Sequence, residues 1–195
     1  MFRDSVKDKN GVTINGLLIL VPKDFSDSRG FFLENWNERT FNLCVNEKVN
    51  FVQDNHSLSS CGVLRGLHYQ IPPKAQGKLV TCISGEIFDV VVDIRARSLT
   101  YGHWAGIILN DKNHRQLWIP KGFAHGFITL SHQANVLYKT TDFWDKDCER
   151  TLRWDDSQLN IDWPLHLLNG IQPHLSEKDQ NALGFNPLLN DAPVE

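Results

Sequence analysis

In the stretch Glu86-Ile87-Phe88-Asp89-Val90-Val91-Val92-Asp93-Ile94-Arg95 one set of alternate residues is apolar from Phe88 onward, and the other carries recurring charge. Phe88, Val90, Val92 and Ile94 form a plain core face; Ile87, Asp89, Val91, Asp93 and Arg95 lie opposite. A period of two identifies a β-strand. Charge on the second face has two explanations. The strand shows one side to water, as antiparallel sheets often do, or it lines the polar cavity of a barrel. In Leu64-Arg65-Gly66-Leu67-His68-Tyr69-Gln70 the pattern recurs, with Arg65, Leu67 and Tyr69 alternating against Leu64, Gly66, His68 and Gln70. Periodicity leaves both explanations open.

Outward from these two segments, β-type residues and turn residues alternate along most of the chain. Strands are expected over residues 17–21, 30–36, 49–53, 63–70, 78–84, 86–94, 104–109, 116–119, 126–130 and 134–141. Turn chemistry separates them at Asp27-Ser28-Arg29-Gly30, Ser59-Ser60-Cys61-Gly62, Ser84-Gly85, Asn110-Asp111-Lys112-Asn113 and Pro120-Lys121-Gly122. Helix is expected only over 37–44 and 176–183. Short strands at this spacing indicate a mainly β sandwich or closed barrel with a few short helices. No repeat, low-complexity tract or linker divides the sequence, so residues 1–195 are expected to form one domain.

Composition narrows the partners. The chain has 195 residues and is 41% hydrophobic; 20 Lys and Arg against 23 Asp and Glu give a formal charge of −3. That balance argues against nucleic-acid binding through bulk positive charge, but it permits a small anion held by a few placed cations. The longest apolar run, residues 17–21, is far too short for a membrane span, and Met1-Phe2-Arg3-Asp4 lacks a signal-peptide core. A soluble cytoplasmic protein is expected. Cys44, Cys61, Cys82 and Cys148 show no metal-type or redox-type spacing and read as small buried hydrophobes.

Three segments concentrate reactive groups: Leu64–Gln70 with Gln76-Gly77-Lys78, Trp118-Ile119-Pro120-Lys121-Gly122-Phe123-Ala124-His125-Gly126, and Leu175-Ser176-Glu177-Lys178-Asp179. The Pro120-x-Gly122-x-x-His125 arrangement resembles the second motif of the cupin jelly roll. The first cupin motif supplies an H-x-H pair for a metal, whereas His68-Tyr69-Gln70 lacks the second imidazole. Two histidines on separate strands with a glutamine are a poor set of metal ligands, and no metal is expected. A cavity holding His, Tyr, Lys and Asp suits acid–base chemistry on carbon instead. Taken singly, each residue also has a structural explanation: Tyr138 as a core aromatic, or Ser176-x-x-Asp179 as a helix capping box.

The order of motifs is similar to that of the dTDP-4-dehydrorhamnose 3,5-epimerase family. The resemblance is carried by Asp27-Ser28-Arg29-Gly30-Phe31-Phe32-Leu33-Glu34, Phe51-Val52-Gln53-Asp54-Asn55-His56-Ser57, Leu64–Gln70, Gln76-Gly77-Lys78-Leu79-Val80, and residues 85–95 and 116–131. Tyr138-Lys139, Trp154-Asp155-Asp156, Asp162-Trp163-Pro164 and residues 175–179 continue it. It implies a metal-free, cofactor-free cupin-type double-stranded β-helix, a jelly-roll barrel, that works as a homodimer. The reaction implied is inversion of C3 and C5 of dTDP-4-dehydro-6-deoxy-D-glucose. By the resemblance His68 is the base, Asp179 its dyad partner, Tyr138 the proton donor, and Lys78 the enolate stabiliser with Asp89 as charge partner. Arg29, Glu34, Gln53, Asp54, Asn55, Arg65, His125, Glu149 and Lys178 match substrate-binding positions, with residues 29–34 reaching the neighbouring subunit's site. Tyr138 or Phe31 is the expected surface for stacking on thymine.

Residues 164–173 are longer than the family pattern, and 180–195 are expected to be a peripheral tail. The alternatives are an epimerase that inverts only C3 or C5, a non-catalytic sugar-nucleotide-binding cupin, and a metal-dependent cupin enzyme.

Overall fold

The computed structural model describes residues 1–185. Its strands are β1 (Phe2–Lys7), β2 (Thr13–Val21), β3 (Asp24–Asp27), β4 (Gly30–Leu33), β5 (Gln53–Ser60), β6 (Leu64–Gln70), β7 (Lys78–Ser84), β8 (Glu86–Asp93), β9 (Trp104–Asn110), β10 (Gln116–Ile119), β11 (Phe123–Thr129), β12 (Gln133–Thr140) and β13 (Glu149–Thr151). Helix is confined to α1 (Glu38–Val45), α2 (Glu177–Gln180) and a 3-10 turn at Leu165–Leu168. A six-stranded sheet of order β1-β2-β10-β7-β12-β5 packs against a five-stranded sheet of order β13-β6-β11-β8-β9, and β3 and β4 form a separate hairpin. The strands pair antiparallel throughout these sheets. This is the expected β-sandwich of the jelly-roll type.

Three apolar layers hold it. Between the sheets lie Leu17, Val80, Ile87, Val91, Ile107, Leu117, Phe123, Phe127 and Val136. The outer face of the five-stranded sheet, including Val90, Val92 and Ile94, is covered by Leu152, Leu159, Trp163, Leu168 and Phe185. α1 and the chain around it cover part of the other outer face, packing Phe41, Val49 and Phe51 on Leu79 and Trp118. Both faces of β8 are therefore buried. Asp89 and Asp93 are each 0% exposed, so the charged face of the opening stretch turns inward and not to water.

Several elements depart from expectation for identifiable reasons. The strand expected over 49–53 is displaced to β5, whose sequence Gln-Asp-Asn-His-Ser-Leu-Ser-Ser has little β character. β5 is held by its ladder to β12 at the sheet edge, and the apolar Val49 and Phe51 serve the packing under α1. The helix expected over 176–183 stops after one turn because Leu183 bridges to Leu152. The tail is not peripheral at its start either: Phe185 is 6% exposed, and its N–H donates to Asp156 at 2.8 Å. The remainder, 186–195, lies outside the described residues. Residues 164–173 are tied down by buried Leu168 and by the bridge between Val63 and His174, which brings α2 beside β6. Among the described residues no helix is long and apolar enough to cross a membrane.

Candidate active site

At one end of the sandwich the sheets part around a cleft of about 300 Å³, lined by Gln53, Asn55, His68, Gln70, Lys78, Tyr138, Trp144 and Glu149, among others. The lining comes from both sheets. β5, β7 and β12 bring Asn55, Lys78 and Tyr138; β6 and β13 bring His68 and Glu149. The register sets Tyr138 opposite Asn55 on one side, and the Lys78–Thr140 pair two residues along on the other. His68 stands opposite His125 where β6 and β11 come unusually close. A Cβ on Gly66 would lie 2.5 Å from the Gly126 Cα, and one on Gly126 would lie 2.6 Å from the Arg65 carbonyl. Only two glycines allow that approach.

His68 and Asp179 form a dyad, with Nε2 2.5 Å from the Asp179 Oδ1. Asp179 is buried, and its other oxygen accepts the Ser176 hydroxyl at 2.9 Å. Ser176 is also the N-cap of α2, accepting the Asp179 N–H. Burial would raise the Asp179 carboxyl, but the hydrogen bonds and charge supplied by His68 and Ser176 outweigh it and keep it below its ordinary value. Burial lowers the His68 imidazole, and the Asp179 charge only partly restores it. The result is a neutral imidazole on an ionised carboxylate. The ring then donates its Nε2 proton to Asp179, and the lone pair lies on Nδ1.

Facing groups are tuned for other roles. Burial raises the Tyr138 phenol, opposed by the Arg65 charge, so it keeps its proton. Lys78 is 9% exposed, and burial brings its ammonium down to about 8 against the opposing fields of Asp89 and Glu149. Its Nζ donates to the His68 carbonyl at 3.3 Å. Glu149 is pushed up by burial and pulled further down by the Lys178 ammonium, 2.9 Å away, and by a hydrogen bond from Trp144.

Other expected residues are placed differently. Asp89 is not ion-paired with Lys78: both its oxygens lie about 3 Å from Nε2 of buried His125, at 3.0 and 2.9 Å, and it reaches Lys78 only through its field. Asp54 points to the opposite face of β5 from Gln53 and Asn55, because alternate residues alternate sides, and there it pairs with Lys139 at 2.9 Å. Gln53 lines the cleft but uses its amide within the protein, donating to Asn55 and accepting from the Trp144 N–H. Arg65 is anchored on Ser59. Arg29 and Glu34 lie on or beside the exposed β3–β4 hairpin, outside this cleft; Arg29 forks onto Asp27. Phe31 sits there too, against His114. Sequence reasoning overlooked Trp144, a 55% exposed indole on the cleft wall, and its only signal was an aromatic pair inside the turn Asp142-Phe143-Trp144-Asp145. Among the described residues no three His, Cys, Asp or Glu side chains gather as a metal-ligand set.

Residues 11–186 match the family model described as dTDP-4-dehydrorhamnose 3,5-epimerase. A protein of that name from Shigella flexneri is 54% identical over 172 residues, 88% of this chain and 92% of its own. The crystal structure of dTDP-6-deoxy-D-glucose-3,5-epimerase from Legionella pneumophila Philadelphia 1, in complex with dTDP-4-keto-L-rhamnose, is 44% identical with a TM-score of 0.89, covering 100% of this chain and 99% of that one. ChmJ, a 3'-monoepimerase from Streptomyces bikiniensis in complex with dTDP-quinovose, is 30% identical with a TM-score of 0.84, covering 93% and 90%.

Proposed function

Since the chain belongs to the dTDP-4-dehydrorhamnose 3,5-epimerase family, we propose that His68, Tyr138 and Lys78 carry out its double epimerisation through an enolate. The substrate class is a 4-keto-6-deoxy sugar linked to dTDP. The keto group acidifies the C–H bonds on both flanking carbons, so inversion needs a base, an acid and a place for charge on oxygen. The neutral His68 takes the proton from carbon, and the C–H electron pair moves into the enolate. Asp179 stabilises the imidazolium that forms. The Lys78 ammonium compensates the charge on the enolate oxygen. Tyr138 returns a proton to carbon from the other face; the His68 imidazolium then releases its proton to solvent and the Tyr138 phenolate takes one up, so that base and acid are both restored before the second centre reacts. The observation that carries this reading is one cleft holding a neutral imidazole on an ionised carboxylate, a protonated phenol and a buried ammonium.

The nucleotide end has its own supports. Trp144 offers an exposed ring face for thymine. Arg65 and Lys178 border the site as cations for the diphosphate. Arg29 projects from a hairpin that also exposes Phe25, Phe31 and Phe32 at 55%, 60% and 70%. An apolar hairpin with an outward arginine, remote from its own cleft, supports a homodimer in which the hairpin completes the neighbour's site.

Similarity to a 3'-monoepimerase makes the number of inverted centres the point to test. Turnover in D2O should place deuterium at both C3 and C5. Label at C3 alone would make this a monoepimerase.

A further inference from the structure

Gln70 stands where a cupin motif carries its second imidazole, and its amide has a different occupation. The side chain is 5% exposed. Its Nε2 donates to the carbonyls of Lys74 at 2.5 Å and Phe143 at 3.2 Å, while its Oε1 accepts the Asp145 N–H at 2.8 Å. A single amide orientation serves two carbonyls and one N–H together. Neutral imidazole offers one donor and one acceptor, so histidine could not satisfy all three. Gln53 adds a bond from the opposite sheet, accepting the Trp144 N–H at 3.1 Å. Consecutive main-chain groups of Phe143, Trp144 and Asp145 are thus stapled to β6 on one side and β5 on the other. Packing alone would not hold Trp144, which is more than half exposed.

We infer that Gln70 is a positioning residue for nucleotide recognition: its buried amide fixes the 143–145 segment and so aims the Trp144 indole at the base. The inference rests on the reading that thymine stacks on Trp144. An aromatic platform contributes binding energy only if its orientation is set before the ligand arrives; a mobile ring must be ordered at the expense of affinity. Two glutamines on facing sheets hold the main chain with uncharged groups, and the Glu149 carboxylate accepts a hydrogen bond from the indole itself. The tuned charges of His68, Asp179 and Lys78 are left undisturbed.

The test is a double-mutant cycle on Gln70→Met and Trp144→Ala, read by calorimetric titration with thymidine diphosphate and by steady-state turnover. Gln70→Met should weaken thymidine diphosphate binding about tenfold, with KM rising in step and kcat falling less. Because Gln70 acts through Trp144, the double variant should bind no worse than Trp144→Ala alone. Gln70→Glu, which keeps the acceptor for Asp145 but cannot donate to the carbonyls, should weaken binding as well and serves if the Met variant does not fold. Wild-type affinity in a folded Gln70 variant, with Trp144→Ala weakened, overturns the inference and leaves stacking intact. Additive losses in the double variant overturn it too. Wild-type affinity in Trp144→Ala would instead remove the stacking reading, and the inference with it.

Discussion

Asp179 serves two partners with two oxygens, and the serine behind it matters to the histidine in front. Ser176→Ala removes a hydrogen bond from the carboxylate, concentrating its charge on His68 and making the imidazole more basic. We expect kcat to fall about tenfold and the acid limb of the kcat/KM profile to move to higher pH, with Ser176→Thr restoring both. In the wild type that limb lies below the ordinary imidazole range, since burial lowers His68, and the alkaline limb lies near 8, where the buried Lys78 loses its proton. A pH–rate series measures both. The candidate groups stood out one by one as titratable residue types within motifs, and the proposed role of each came from the resemblance to the family. Their partners were not legible. Nothing in the sequence says that Asp89 meets His125 and not Lys78, for that is decided by which faces of β8 and β11 meet in register.

At the scale of elements, the alternation in β8 identified the strand, and only the layer covering its outer face decided that both sides are buried. β7 and β10 were read at their observed bounds because their β-type residues are central and packed; β5, polar and at the edge, was not. The contact between β6 and β11 is set by Gly66 and Gly126, and Gly126→Ala should cost about 1–3 kcal/mol by forcing the strands apart. Chemical denaturation would show that loss, and kcat should fall with it because His68 rides on β6. Asp93, the last residue of β8, is fully buried and accepts hydrogen bonds from Arg95, Ser98 and Thr100. Burial raises this carboxyl, but those bonds hold it below its ordinary value. A depressed folded pKa gives stability that is present above the unfolded value of about 3.9 and is lost as pH falls through the folded one. Asp93→Asn should therefore cost about 3–5 kcal/mol at neutral pH, with the deficit in denaturant midpoint shrinking under acid.

For the whole molecule, a formal charge of −3 is compatible with the proposed diphosphate site, because local placement of a few cations can outweigh the average. A hairpin exposing three phenylalanines makes the second subunit part of the proposal. Arg29→Ala and His68→Asn homodimers should each be nearly inactive, yet unfolding and refolding them together should recover activity, since each mixed dimer holds one intact site. No recovery would assign Arg29 to its own subunit. The fold itself was legible from strand spacing and motif order, whereas the subunit served by residues 29–34 depends on a surface that one chain's pattern does not encode.

If His68 removes protons on one face and Tyr138 returns them on the other, Tyr138→Phe followed with the keto-sugar nucleotide in D2O by proton NMR separates the two roles. The expected result is deuterium entering C3 and C5 from the His68 side while net inversion falls by about 10²–10⁴-fold. Inversion of both centres at the wild-type rate would contradict it.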